Sequence, residues 1–153
     1  MTDLHCHILP AIDDGAKNAK VSMELLRMQN DAGITDIVCT PHFNPDSQNL
    51  EDFIDKRYRS ARYLADYVFR SELPVRLKFG AEVRISPTIL DLDFLPLCFQ
   101  KTKVMLLEMP RTLRPQWDTN VIYQLTLGGV IPLIAHIERY PYVQKKPNIA
   151  LDW

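Results

Sequence analysis

Two histidines separated by a single residue stand near the start of the chain, at positions 5 and 7. If this short apolar segment is a β-strand, side chains at i and i+2 lie on one face, so Asp3, His5 and His7 would point into a common space. Two imidazoles held side by side by stiff backbone are good ligands for a divalent transition metal. Such a pair alone is as often a chance occurrence, so its meaning depends on the residues further along.

The other candidate ligands also lie at or just after the ends of predicted strands. His42 and His136 complete the four histidines of the chain, and each lies where a predicted strand ends. Glu82 and Glu108 stand at two further strand ends, and Asp14 lies in the loop after the first strand. A single histidine at a strand end is more often a hydrogen-bonded loop residue, but chance does not readily place all four there. Imidazole with carboxylate, and without cysteine, is typical of Zn, Mn or Fe ions that hold water.

The elements that must position these residues alternate between strands and helices. Apolar runs bounded by Gly, Pro and Asp predict strands over residues 1–8, 34–40, 75–83, 104–108 and 130–135. Helical spacing predicts helices over 19–32, 51–69 and 120–127, with a short helix over 88–92. The first of these would bury a stripe of Val21, Leu25, Met28 and Ala32. The order βαβαβαβαβ predicts an α/β fold of parallel strands, and in (β/α) barrels functional groups gather at the carboxyl ends of the strands.

Composition restricts the class of protein. With 153 residues, 46% of them hydrophobic, and a net charge of -1, the chain is expected to form one domain over residues 1–153. The absence of a basic excess argues against nucleic acid as a partner, and the basic stretch at 57–63 is interpreted as a solvated helix face. No apolar run is long enough for membrane insertion. Three scattered cysteines fit a reducing cytoplasm.

A cysteine-dependent phosphatase mechanism is excluded by spacing. Such enzymes need an arginine six places after the nucleophilic cysteine to hold phosphate. Here those places hold Ile12, Pro45 and Val104.

Five motifs occur in an order that resembles one family. They are Asp-Leu-His-Cys-His-Ile-Leu-Pro with the Asp-Asp-Gly after it, Thr-Pro-His42, Gly-Ala-Glu82, Glu108-Met-Pro and His136-Ile-Glu-Arg-Tyr. Together they resemble the PHP (polymerase and histidinol phosphatase) superfamily, and within it the bacterial metal-dependent protein-tyrosine phosphatases of capsule and exopolysaccharide gene clusters. The resemblance runs from residue 1 to about residue 150. It implies a distorted (β/α)7 barrel, of which this chain would contain about the first five βα units.

The resemblance also implies a site for up to three divalent ions, with Mn expected and Fe or Zn as alternatives. The first ion would be held by His5, His7 and Glu82. The second would be held by Glu82, Glu108 and His136, and the third by Asp14 and His42. The implied catalytic residue is Arg139, which would bind phosphate, although Glu138 next to it offers a surface salt bridge instead. The implied reaction is attack by metal-activated water on phosphotyrosine in the tail of a bacterial tyrosine kinase.

The chain departs from the family pattern at its end, and alternatives stay open. The family's remaining ligands, an Asp and a His after the seventh strand, have no counterpart before Trp153. The expectation is a shortened form that closes its incomplete barrel by pairing with a second copy as a homo-oligomer. Another PHP phosphoesterase of the histidinol-phosphatase type and an inactive remnant remain alternatives. An amidohydrolase is disfavoured because Glu108 stands where that family often carries a bridging lysine.

Overall fold

The computed structural model describes all 153 residues and contains two parallel sheets with helices packed against them. The strands are β1 (Thr2–Cys6), β2 (Asp36–Cys39), β3 (His42–Phe43), β4 (Arg76–Phe79), β5 (Glu82–Arg84), β6 (Val104–Glu108) and β7 (Ile131–Ile134). The helices are α1 (Ala19–Asp31), α2 (Leu50–Ser71), α3 (Asp118–Leu127) and α4 (Pro141–Lys145). Turns of 3-10 helix cover Pro87–Asp91, Leu95–Leu97, Ile137–Arg139 and Pro147–Leu151. One sheet has the order β1-β2-β4 and the other the order β3-β5-β6-β7, and every pairing is parallel. The prediction of an α/β fold with parallel strands is confirmed.

One predicted strand is followed by an additional strand, and another is divided between the two sheets. The strand predicted over 34–40 corresponds to β2, and the chain then enters the second sheet as the additional strand β3. The strand predicted over 75–83 is divided into β4 in the first sheet and β5 in the second. The prediction of five unbroken strands is therefore wrong, and seven short ones take their place.

Two residues between these strands constrain the chain locally. Pro41 has no N–H to give to a strand ladder. Gly80 packs so closely against Phe99 that a Cβ atom there would lie 2.7 Å from the Cδ1 atom of the ring. Beyond these two residues, His42 and Glu82 lie opposite each other in the β3–β5 pair. Two predicted ligands are thus placed side by side at the beginning of new strands.

Helix α1 lies where it was predicted but buries a different face. The core side carries Met23 and Leu26 together with Ala19 and Ser22. Leu25 and Met28 of the predicted stripe are 37% and 67% exposed, so that part of the prediction is wrong. Apolar residues recur at helical spacing on both sides of this helix, and the contacts of the sheet decide between them.

The core fills the space between the helices and the sheets. Phe53, Ala61 and Leu64 are the buried positions of α2. They pack with buried side chains of the strands such as Ile37 and Val83. None of the helices combines the length and apolar character needed to cross a bilayer.

Candidate metal centre

The second sheet and the end of β1 place all four histidines in one open cavity of about 420 Å³. Every residue that lines this cavity is polar or glycine. They are His5, His7, Asp14, Gly15, His42, Glu82, Arg111, His136 and Arg139. The fold therefore brings together residues from positions 5 to 139, and Glu108 lies directly beside them.

Glu82 is the centre of this cluster. Its Oε2 atom lies 2.8 Å from Nε2 of His5 and 2.9 Å from Nε2 of His7. The same oxygen lies 3.3 Å from Nδ1 of His42, while Oε1 lies 2.9 Å from Nε2 of His136. Burial alone would raise the pKa of Glu82, but hydrogen bonds from His5 and His7 lower it far below its usual range. One buried, ionised carboxylate thus contacts four imidazoles.

The spacing of the ligand atoms fits a coordination shell. Metal–ligand bonds of about 2.1 Å separate neighbouring ligand atoms by about 3.0 Å in an octahedron and about 3.4 Å in a tetrahedron. The Nε2 atoms of His5 and His7 are 3.2 Å apart, and both lie within 2.9 Å of Glu82 Oε2. These three residues can hold a divalent ion with little rearrangement.

Two further groups have ligand atoms within 4.8 Å of one another, and they cross the predicted division. One consists of His7, Asp14 and His42, and the other of His42, Glu82 and Glu108. The sequence placed His136, rather than His42, with the two glutamates. Its Nε2 atom lies 2.9 Å from Glu82 Oε1 but 3.8 Å from Glu108 Oε1. All the predicted ligands therefore lie close together, but the groups that they form differ from those that the family resemblance implies.

His136 has an unusual backbone and an unpaired ring atom. Its φ and ψ angles of 33° and 50° lie in the left-handed region, which non-glycine residues seldom adopt. Its Nδ1 atom is buried and has no hydrogen-bond partner. Conformations of this kind persist where the surrounding structure enforces them, and they are concentrated at functional sites.

Asp13 is a positioning residue that the sequence did not single out. Its Oδ2 atom accepts hydrogen bonds from Nδ1 of His7 at 2.8 Å and from the backbone N–H of His42 at 3.1 Å. Its Oδ1 atom accepts from the N–H of Gly15 at 3.0 Å. A carboxylate on the far nitrogen fixes the tautomer of an imidazole, so Nε2 of His7 is directed to the cavity. The Asp-Asp-Gly motif contains this residue, but spacing alone did not separate Asp13 from Asp14.

These hydrogen bonds also decide the charges. Burial would lower the pKa of His7, but the hydrogen bonds to Asp13 and Glu82 outweigh it and raise that pKa to about 10. Burial would raise the pKa of Asp13, yet its bonds from His7 and two backbone N–H groups lower it. Without a bound ion, His7 is therefore a protonated imidazolium between two carboxylates.

Asp3 is the residue that the strand argument misplaced. It was expected to share a space with His5 and His7, but it does not line their cavity. Its carboxylate accepts a hydrogen bond from Gln29 of α1 at 2.6 Å instead. The pairing register of β1 shifts between Asp3 and Cys6, which breaks the simple alternation of side chains.

Two arginines stand at the rim of the cavity. Arg139 lies on the turn after His136, and its Nε atom is 3.5 Å from Glu138 Oε1, with both side chains 69% exposed. Arg111 was not predicted, although it follows the Glu108-Met-Pro motif by one residue, and its Nη2 atom lies 3.4 Å from Glu108 Oε1. An exposed pair such as Arg139 with Glu138 contributes little to stability, so Arg139 remains free to bind an anion.

The cysteines lie outside this cavity. Cys39 and Cys98 are buried, and Cys6 is partly buried. A hydrogen bond with Cys39 and burial raise the pKa of the Cys6 thiol, and burial raises that of Cys98. Thiols in such surroundings stay protonated and are poor nucleophiles, which agrees with the spacing argument above.

A family model described as "Capsular polysaccharide synthesis, CpsB/CapC" matches residues 1–151. The chain belongs to the CpsB/CapC family. The resemblance to metal-dependent phosphatases of capsule clusters is thereby confirmed at the level of the family.

Relatives within CpsB/CapC carry phosphatase names. The chain is 34% identical over 152 residues to tyrosine-protein phosphatase YwqE of Bacillus subtilis, covering 97% of this chain and 59% of the relative. It is 30% identical over 145 residues to putative tyrosine-protein phosphatase CapC of Staphylococcus aureus, covering 91% of this chain and 54% of the relative. A solved structure from work on YwqE and Streptococcus pneumoniae CpsB, described as unique metal-dependent tyrosine phosphatases, superposes with a TM-score of 0.86 at 34% identity. The superposition covers 97% of this chain and 60% of the chain in that structure. This CpsB/CapC chain thus spans about three-fifths of the length of these relatives.

Proposed function

We propose that this chain supplies the metal-binding part of a phosphatase that hydrolyses phosphotyrosine in the tail of a tyrosine kinase of polysaccharide assembly. The observation that carries the proposal is Glu82, which contacts four imidazoles in a polar cavity with two arginines at its rim. The names of the CpsB/CapC relatives support the reaction class. We further infer that residues 1–153 form a PHP domain and that the two sheets belong to its distorted (β/α) barrel.

Several residues would hold divalent ions, with Mn expected and Fe or Zn as alternatives. His5, His7 and Glu82 would hold one ion. Glu82 with Glu108 and His136 would hold a second, and Asp14 with His42 a third, with His42 also near enough to serve the second. When bound, such ions acidify water and neutralise negative charge, which is the chemistry that hydrolysis of a phosphate monoester needs.

The chain's own residues account for orientation and substrate binding. Asp13 holds the ring of His7 and the backbone of His42, so that two ligand-bearing segments keep a fixed spacing. Arg139 and Arg111 would bind the equatorial oxygens of the phosphate, since guanidinium matches phosphate geometry. The cavity is open and has no apolar lining, which suits an extended side chain on a flexible tail more than an enclosed apolar substrate.

The reaction would take place in the cytoplasm, where the kinase tail is accessible and the cysteines stay reduced. Pairing with a second copy stays a prediction.

The test is a phosphatase assay on the chain with Mn²⁺ added, using a phosphotyrosine peptide as substrate. We expect turnover that a strong chelator abolishes and that thiol alkylation leaves unchanged. His136→Ala should remove both a bound ion and the turnover, whereas Asn148→Ala, on an exposed residue outside the cavity, should alter neither. Turnover that survives His136→Ala would overturn the assignment of the site. Faster hydrolysis of small phosphate esters than of the peptide would favour the histidinol-phosphatase type.

A further inference from the structure

A second cavity, of about 620 Å³, lies between helix α2 and the segment 95–102 that precedes β6. It shares no residue with the cavity of the histidines. Eight of its 14 lining residues are hydrophobic, among them Phe79, Leu95 and Phe99, and Gln100 and Thr102 are uncharged polar ones. Its volume falls within the range of about 300–1,000 Å³ that is usual for small-molecule sites.

The polar part of this second cavity is cationic. Arg57, Arg62 and Lys101 line it, and no carboxylate does. None of these three cations lies within 4.0 Å of a carboxylate anywhere in the chain. Other cations, such as Arg27, Arg59 and Arg84, also have no such partner, so these three are distinguished by lining one cavity together. Positive charge is therefore concentrated here without compensation.

Arg57 is the fixed member of the three. Its guanidinium donates one hydrogen bond to the carbonyl of Gly80 at 2.7 Å and one to the carbonyl of Pro96 at 2.9 Å, and lies 5.5 Å from the centre of the Phe53 ring. Those bonds use two of the five N–H donors of a guanidinium. Burial without a counter-ion lowers the pKa of Arg57. An anion beside it would compensate a cation that is already oriented and partly desolvated.

We propose that this second cavity binds a small amphiphilic anion, with an aromatic or alkyl body against Phe79 and Phe99 and an anionic group near Arg57, Arg62 and Lys101. This proposal gives a role to the basic, aromatic stretch at 57–63, since Arg57, Tyr58 and Arg62 all line the cavity. Nucleic acid needs cations spread along an extended surface, whereas these converge on a single pocket with apolar walls.

The test uses the ¹⁵N-labelled chain and 2-naphthalenesulfonate as the probe, followed by amide chemical shifts. We expect saturable shifts confined to the amides of residues 54–65 and 95–102. Neutral 2-naphthalenemethanol and inorganic sulfate should each bind at least about tenfold more weakly, because the alcohol lacks the anionic group and sulfate lacks the aromatic body. Equal binding of the neutral alcohol would overturn the proposal, and so would shifts confined to residues of the histidine cavity.

Variants at exposed positions keep the test separate from folding. Arg62→Glu combined with Lys101→Glu should weaken binding of the probe by about tenfold or more, because both charges facing the anion are reversed. Arg59→Glu combined with Lys145→Glu is the matched control, since it also reverses two charges and both residues are exposed and do not line the cavity. Unchanged thermal unfolding would show that each variant is folded. Equal loss in both proteins, or release of a dimer when the probe is added, would overturn the proposal, the latter by showing that a second copy occupies the cavity.

Discussion

Tyr140 makes a buried connection next to His136 of the candidate metal centre, and a single substitution can test it. The side chain is 0% exposed. Its hydroxyl accepts a hydrogen bond from the N–H of Met109 at 2.9 Å and donates one to the carbonyl of Ala135 at 3.0 Å. These partners follow the ends of β6 and β7, and they are the chain neighbours of Glu108 and His136. Burial raises the pKa of Tyr140, so the hydroxyl stays protonated and keeps both bonds.

Tyr140→Phe keeps the ring and removes only the oxygen. One buried N–H and one buried C=O then lose their partner, and each such group costs about 1–3 kcal/mol. We therefore expect the free energy of unfolding to fall by about 2–6 kcal/mol, measured by urea denaturation of the metal-free protein. The ends of β6 and β7 should also lose their fixed spacing, so fewer Mn²⁺ ions should remain bound after gel filtration.

The adjacent tyrosine provides a matched control. The ring of Tyr142 stacks on that of Tyr140, and its hydroxyl donates a single, partly buried hydrogen bond to the carbonyl of Pro110 at 2.9 Å. Tyr142→Phe should cost only about 0.5–1.5 kcal/mol and leave the metal content unchanged. If Tyr140→Phe proves no more destabilising than Tyr142→Phe, the reasoning about unpaired buried groups is refuted.

Three other changes give equally direct tests. Gly15→Ala would place a Cβ atom 2.1 Å from the carbonyl oxygen of His7, so this loop must shift, and the affinity for Mn²⁺ in calorimetric titration should fall by about tenfold or more. Gly33→Ala, at a φ of 79° in open space, should strain its own turn but leave that affinity unchanged. Asp13→Asn leaves a single acceptor oxygen for three donors, on His7, Gly15 and His42, that now bond to two oxygens. The Mn²⁺ affinity in the same titration should therefore fall about 10–100-fold. An equal fall in Asp91→Asn, at an exposed position, would contradict this. Hydrogen bonds from Ser86 and Thr88 lower the pKa of Asp46 below its ordinary value of 3.8. These bonds therefore stabilise the folded protein above pH 3.8, and the stabilisation is lost as the pH falls through the lowered pKa of the folded state. Asp46→Asn should therefore lower the urea midpoint at neutral pH, by an amount that shrinks below pH 3.8, and a difference independent of pH would contradict the assignment.

The positions of the ligands could be predicted because they depend on strand ends. In a parallel α/β fold, the crossover helices force successive strands to point the same way, so residues at equivalent ends converge whatever their separation in sequence. His5 lies near the end of β1 and His136 follows β7, while His42 and Glu82 follow the ends of β2 and β4 and also begin the next strands. The structure brings all four together.

What the sequence did not reveal depends on contacts rather than on periodicity. The additional strand β3 and the move of the chain into a second sheet after Gly80 depend on strand pairings that form only on folding, which no hydrophobic pattern records. The buried face of α1 was mistaken because two faces are apolar, and only packing against the sheet distinguishes Met23 from Leu25. The role of Asp13 depends on two backbone N–H groups whose positions exist only after folding.

The division into two sheets explains why the cluster is centred on Glu82. His5 lies on β1 of the first sheet and His7 directly follows that strand, whereas His42, Glu82 and Glu108 lie on strands of the second sheet. The bonds from His5 and His7 to Glu82 therefore join one sheet to the other. A carboxylate at the start of β5 reaches across this junction because the chain has just changed sheets at Gly80. The two changes of sheet, after β2 and after β4, are thus the features that place imidazoles and carboxylates from both sheets around one buried oxygen pair.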